Sequence, residues 1–138
     1  VVCAANFWPP SGTYSYTLAG FRAYRGFDGA NANFGDTSLQ TTSSDAQKVV
    51  VYASTDSAAP GRVVLVAINR SASAQTTAIN GLALSGTARL YQITAASAQA
   101  QVNAGQPVAP VAAGSMAAGG SSMTMTLPAL SVTTIDIR

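Results

Sequence analysis

Apolar residues run almost unbroken through two short stretches of the chain, Lys48–Thr55 and Arg62–Asn69. Both are rich in β-branched side chains and have the length of a strand rather than a helix. Between them, Asp56-Ser-Ala-Ala-Pro-Gly61 is turn chemistry, because Pro60 fixes φ and Gly61 permits a positive φ. The pair is expected to form a β-hairpin covered on both faces, and hence central in its sheet. Five further stretches have strand character: Thr37–Thr42, Gln75–Ile79, Ala88–Thr94, Ser122–Leu127 and Ser131–Ile137. Alternation assigns their faces. Arg89, Tyr91 and Ile93 point one way, Leu90 and Gln92 the other. Met123, Met125 and Leu127 point inward between outward threonines, and Ile135 and Ile137 share a face with Thr133. Short strands at this spacing predict a mainly β fold, a two-sheet antiparallel β-sandwich of jelly-roll or immunoglobulin-like type.

The remaining pattern is sparser. Val1–Ala5 reads as a short buried strand, ended by the two prolines and the glycine of Asn6–Gly12. Tyr14–Arg25 is the one amphipathic helix candidate, with Tyr14, Leu18, Phe21 and Tyr24 or Arg25 on one face and Gly26 as its stop. Phe27–Asp36 is a polar loop. Ala95–Gly120 is low in complexity and reads as a long excursion over a sheet edge, with a short strand near Gln101–Val102.

Composition narrows the function. The chain is 138 residues long, enough to bury a core, and 48% apolar but only 9% charged, against about 25% charged in an average domain. Its surface is therefore built from Ser, Thr, Asn, Gln, Gly and Ala, a balance suited to a secreted bacterial β-domain. Net charge is +2, and the seven basic residues are scattered. Without a basic stripe, nucleic acid is not an expected partner. No apolar run is long enough for a membrane-spanning helix. There is no His and no Glu, which excludes a Ser-His-Asp triad, a Cys-His pair and a His-ligated zinc. Cys3 is the one cysteine, so it forms no internal disulfide and reads as a buried strand residue. The chain begins without Met and without a leader pattern, as expected of an internal or processed piece.

Three constellations are candidates for chemistry. The acids are Asp28, Asp36, Asp45, Asp56 and Asp136. Glycoside hydrolysis needs two carboxylates, one with a raised pKa; neither Asp28 nor Asp36 lies in an apolar run that would raise it, Asp45 and Asp56 sit beside turn residues, and Asp136 reads as a surface or ion-paired residue of the terminal strand. Within the loop, Asp28, Asn31, Asn33 and Asp36 supply the oxygen ligands that calcium takes. The same residues read equally as a loop closed by its own side-chain hydrogen bonds. Sugar rings dock flat on aromatic faces, which singles out Trp8, Tyr14, Tyr16, Tyr52 and Tyr91. Tyr52 and Tyr91 form a stacking platform if both point outward, and ordinary packing residues if they do not.

Tyr24-Arg-Gly-Phe-Asp-Gly29, Phe34-Gly-Asp-Thr37, Ser43-Ser-Asp45 and Lys48-Val-Val-Val-Tyr-Ala53 together resemble glycoside hydrolase family 44, secreted bacterial endoglucanases and xyloglucanases. Gly61–Asn69 and Leu127–Val132 continue the likeness. It covers nearly the whole chain and about the C-terminal quarter of such an enzyme. The resemblance implies that residues 1–34 are the last strand and helix of a (β/α)8 barrel, and that residues 35–138 are the appended β-sandwich. Trp8 then matches an aromatic at the end of the last barrel strand, where a sugar stacks. The family's catalytic glutamates lie on earlier strands, and this chain has none. The expectation is a secreted, non-catalytic carbohydrate-binding or accessory module that binds β-glucan or xyloglucan by aromatic stacking. Its partners would be plant cell-wall β-glucan or xyloglucan and the catalytic barrel of its parent enzyme. Alternatively it is a purely structural domain. Phe7, Trp8, Leu18 and Phe21 would expose an apolar patch, so residues 1–25 are expected either to fold back on the sandwich or to form a homo-oligomer contact.

Overall fold

A computed structural model describes residues 15–138, leaving out the side chains of Ser15, Leu82 and Ala83. The expected strand at Val1–Ala5 with Cys3, the break at Asn6–Gly12, and Phe7, Trp8 and Tyr14 lie outside the described residues. The elements are α1 (Ser15–Arg22), β1 (Thr37–Leu39), β2 (Val49–Thr55), β3 (Val63–Asn69), β4 (Gln75–Ile93), α2 (Ala95–Asn103), β5 (Val111–Leu127) and β6 (Ser131–Ile137).

All six strands form one antiparallel sheet in the order β1-β2-β3-β6-β4-β5. The hairpin β2–β3 forms as expected, and β3 is central, flanked by β2 and β6. The sequence predicts two separate sheets; here a single sheet curls over its own core instead. The cause is the length of β4 and β5, 19 and 17 residues. The glycine-containing stretch after Ile79 does not end β4. It carries a register shift between Asn80 and Leu84, after which pairing with β5 resumes. The first half of β4 and the second half of β5 thereby fold back across β2 and β3. Leu84, Met123, Met125 and Leu127 join Val49, Ala53, Leu65 and Ile135 in one buried cluster.

Register places alternate residues on the sheet's two faces. One face carries Val51, Ala53, Leu65, Thr133, Ile135 and Leu90 and is sealed by the folded-back hairpin. The other carries Tyr52, Val66, Thr134 and Tyr91 in a single row, with Ile68, Val132 and Ile93 beside it. That face is covered by α1, α2 and the segments that follow them, with Ala19, Ala23, Val66, Ile93, Ala98 and Val108 forming a second buried cluster. Apolar cover on both faces explains the near-continuous apolar run of β2 and β3. The alternation read for β4, β5 and β6 matches this register.

The low-complexity region orders more than expected. Gln101 and Val102 lie in α2 rather than in a strand. An alanine-rich run has high helix propensity. Thr94 and Ser97 close a capping box at its start, Thr94 Oγ1 accepting from the Ser97 amide at 3.1 Å and Ser97 Oγ from the Thr94 amide at 2.9 Å.

Two polar features lock the frame. Asn69 is buried, its Nδ2 donating to the carbonyls of Ser73, Leu127 and Pro128 at 2.9, 3.2 and 2.7 Å, while its Oδ1 accepts from the Ser71 amide at 2.9 Å. One side chain thus ties the β3–β4 and β5–β6 connections together. At the opposite end of the strands, buried Asp136 accepts from Arg62 Nε at 2.8 Å and pairs with Arg138 at 2.8 Å, while Arg62 also holds Asp56 at 2.9 Å. Burial alone would lower the Arg62 pKa, but Asp136 and Asp56 together raise it above its ordinary value. The guanidinium stays charged.

Candidate functional site

The helix-covered face holds Tyr52 and Tyr91, two of the aromatic side chains singled out by the sequence. On α1 the small residues face the sheet: Ala19 is 2% exposed, against 50% for Leu18 and 48% for Phe21. The expected apolar stripe through Leu18 and Phe21 therefore forms but points away from the sheet. These side chains do not fold back onto it. Two alanines let the helix lie close to the sheet, and polar anchors hold it there. Thr134 Oγ1 donates to the Ala23 carbonyl at 2.7 Å, and Arg22 Nη1 donates to the Val108 carbonyl at 2.8 Å. Tyr16, on a flank of α1, is also exposed.

Beyond α1 the chain turns back on itself, with a bridge between Arg25 and Asn33 and a bond from the Gly26 amide to the Ala32 carbonyl at 2.7 Å. This turn brings Tyr24 beside Phe34, ring centres 5.2 Å apart at 64°, and beside Tyr52 at 6.2 Å and 62°. Burial, then the neighbouring Tyr52, pushes the Tyr24 hydroxyl up to about 12. Tyr52 is exposed on β2, whereas Tyr91 is half-buried against Phe27, with ring centres 5.3 Å apart. The two tyrosines share a face and a row but stand three strands apart, roughly 14 Å at ordinary strand spacing. Tyr52 thus belongs to a cluster with Tyr24 and Phe34, not to a platform with Tyr91. Sequence reading missed this cluster. Its one signal is the pair of aromatics at the two ends of a turn-forming segment.

The loop acids serve the loop. Asp28 Oδ1 accepts from the amides of Ala30 at 2.8 Å and Ala32 at 2.9 Å. Its slight burial would raise the pKa, yet these amide bonds outweigh that and hold it below the ordinary carboxylate range. Asn31 takes a left-handed backbone conformation, φ 69°. Asp36 is bound by the Ser57 hydroxyl, by the Ser57 amide at 3.1 Å and by the Thr37 hydroxyl at 3.0 Å, and the Ser57 hydroxyl contributes most to lowering its pKa. The two carboxylates therefore close different turns. Between them Gly35 passes against β2, where a Cβ would collide with the Thr55 carbonyl. Asp45 is lowered chiefly by its hydrogen bond with Lys48. All three shifts run opposite to what a general acid requires.

No family model matches the chain. A curated relative, endoglucanase A of Paenibacillus lautus, is 32% identical over 69 residues, which is 50% of this chain and 10% of that protein. The xyloglucanase of Paenibacillus polymyxa from glycoside hydrolase family 44 superposes with a TM-score of 0.78 at 26% identity, over 93% of this chain and 24% of that one. CelM2, a bifunctional glucanase-xylanase from a metagenome library, gives 0.72 at 29%, over 94% and 23%. The chain thus spans about a quarter of the length of these solved relatives. Neighbours in sequence and in structure point to glycoside hydrolase family 44, the family that Tyr24–Thr37 and the β2–β3 hairpin resemble.

Proposed function

We propose that the chain is a non-catalytic β-domain of a secreted, β-glucan-degrading glycoside hydrolase, and that its task is to support the catalytic part of that enzyme. Residues 1–34 would belong with the barrel and residues 35–138 would form the supporting domain. The observation that carries this reading is the orientation of α1, with alanines toward the sheet and Leu18 and Phe21 toward solvent. A helix with apolar side chains on its outer side needs a second surface to cover them. Relatives four times longer supply a candidate for that surface in the remainder of the enzyme. The chain has no glutamate, and the lowered pKa values of Asp28, Asp36 and Asp45 suit hydrogen-bonded loops rather than acid catalysis.

A second reading has its own observation. Tyr52 is exposed and braced by Tyr24, a geometry that suits stacking of one sugar ring of a β-glucan or xyloglucan. Tyr16 is exposed as well. Calorimetry with xyloglucan, mixed-linkage glucan and cello-oligosaccharides separates the two readings. The supporting role predicts no heat above dilution. Binding that disappears in Tyr52→Ala would establish the glycan contact instead, and release of reducing sugar by the purified chain would overturn both.

A further inference from the structure

The lapse in pairing that bends β4 begins at Asn80-Gly81, and Asn80 is the one asparagine of this chain that a glycine follows. The backbone nitrogen of the next residue can attack an asparagine side chain and close a five-membered ring on its amide carbon, which makes asparagine thermolabile. The attack needs a following amide that is not already committed, little side-chain bulk on the following residue, and room for the backbone to turn.

At the other described asparagines the following amide is committed. Ala32, after Asn31, donates to Asp28 Oδ1 at 2.9 Å. Phe34, after Asn33, donates to the Tyr24 carbonyl at 2.8 Å, Arg70, after Asn69, to the Lys48 carbonyl at 2.8 Å, and Ala104, after Asn103, to the Ala100 carbonyl at 3.1 Å. Asn69 is also buried, with both ends of its side chain held. Asp28-Gly29 is the aspartate version of the same dipeptide. There the Gly29 amide donates to the Gly26 carbonyl at 3.1 Å, and two amides fix the Asp28 carboxylate. Asn80-Gly81 differs on each count. Pairing with β5 stops at Asn80 opposite Ser122 and resumes at Leu84 opposite Gly120, so Gly81 has no partner in that register, and β6 pairs with β4 only from Ala88 on. Both residues are exposed. Beyond its chain neighbours, no atom of the described residues lies within 4 Å of where a Gly81 Cβ would stand. Gly81 has a φ of 98°, which glycine adopts without strain.

We propose that Asn80-Gly81 is a site of spontaneous deamidation, and that its isoaspartyl product loosens the curl of the sheet. The Gly81 nitrogen bonds to Asn80 Cγ, the Cγ–Nδ2 bond breaks, and Nδ2 leaves as ammonia with the proton displaced from the Gly81 amide. Water then opens the cyclic imide. Cleavage at Cγ yields an ordinary aspartate. Cleavage at the Asn80 carbonyl carbon yields isoaspartate, whose main chain runs through Cβ and Cγ. Both products remove one unit from the net charge of +2. Isoaspartate alone lengthens the backbone, and it does so between Ile79, which packs against the core, and buried Leu84. A longer connection there disturbs the register that keeps these side chains inward. The inference does not depend on the supporting role.

The 138-residue chain is incubated at mildly alkaline pH in heavy-oxygen water, both folded and unfolded in guanidinium, and each asparagine is followed by peptide mass mapping. In the folded chain Asn80 should convert at least about tenfold faster than Asn31, Asn33, Asn69 or Asn103, and its folded rate should lie within about tenfold of its unfolded rate. The oxygen label should appear in both an aspartyl and an isoaspartyl peptide. The acidic species that cation exchange resolves should not form in Asn80→Gln, a change that an exposed position tolerates. Conversion led by one of the other four asparagines, a folded rate at Asn80 further below the unfolded rate than that, or equal formation of the acidic species in Asn80→Gln would each overturn the site. The separated isoaspartyl form should melt below Asn80→Asp, which carries the same charge on an unlengthened backbone. Equal melting of the two would overturn the effect on the curl.

Discussion

The two faces of the β2–β3–β6–β4 region are closed in different ways. One is sealed by the chain's own β4–β5 hairpin, whose Met123, Met125 and Leu127 complete a cluster with Leu65 and Ile135. The other is covered by short helices that contribute mainly alanine, and the outer side of α1 stays apolar. The first face carries the larger core. The second has the character of a junction, where the chain covers its own sheet and presents a new apolar surface. The same type of residue therefore carries a different load on each side.

The sharpest break of that contrast lies in the core. Ile135→Ala should cost about 2–5 kcal/mol in denaturant unfolding, since a buried branched side chain leaves a cavity, whereas Phe21→Ala should stay within about 0.5 kcal/mol in the isolated chain. Equal losses would erase the distinction between the faces. Asp136→Ala comes next. It strands the largely buried Arg62 guanidinium with Asp56 as its remaining carboxylate partner, and removal of one partner of a buried pair costs about 3–5 kcal/mol. Some of that is recovered here through Asp56. Gly35→Ala should cost about 1–3 kcal/mol, because the Cβ meets the Thr55 carbonyl where the loop from the helix side crosses β2.

The smallest effect is a pH dependence on the junction side. The Tyr24 hydroxyl has a raised pKa of about 12 against an ordinary 10.0. A raised folded-state value for an acid means that its contribution is fully present below pH 10 and lost as pH climbs toward 12. Stability should therefore fall across that window in the parent chain and fall less in Tyr24→Phe. A near-ultraviolet phenolate titration should show one tyrosine ionising late.

Much of the β framework is written in local pattern. The hairpin, the inward Met123, Met125 and Leu127 and the Ile135–Ile137 face follow from period-two alternation, which depends only on neighbours along the chain. The curl does not. Asn80–Gly86 has the composition of a break, and whether such a stretch ends a strand or bends it is decided by the partner strand opposite, here Ala118–Ser122. Α-helix polarity was hidden for a related reason. Leu18 and Phe21 mark an apolar stripe, but tight packing on Val66 and Ile93 selects Ala19 and Ala23 for the inner side. In the candidate site, alternation left Tyr52 open between an outward and a packed residue, and its neighbours Tyr24 and Phe34 are brought together by a reversal at Gly26–Ala32. Asp28 and Asp36 stood out as oxygen-rich neighbours in sequence. Their hydrogen bonds to separate turns depend on where β2 ends and the turn at Ser57 lies.

The supporting role is tested most directly at the outer side of α1. A hydrophobic dye and sedimentation velocity, applied to the isolated chain and to its Leu18→Asp/Phe21→Asp variant, read that surface without knowledge of its partner. The account predicts dye binding or self-association in the parent chain and neither in the variant, with the melting temperature essentially retained. Identical dye binding and identical sedimentation of the two chains would contradict it.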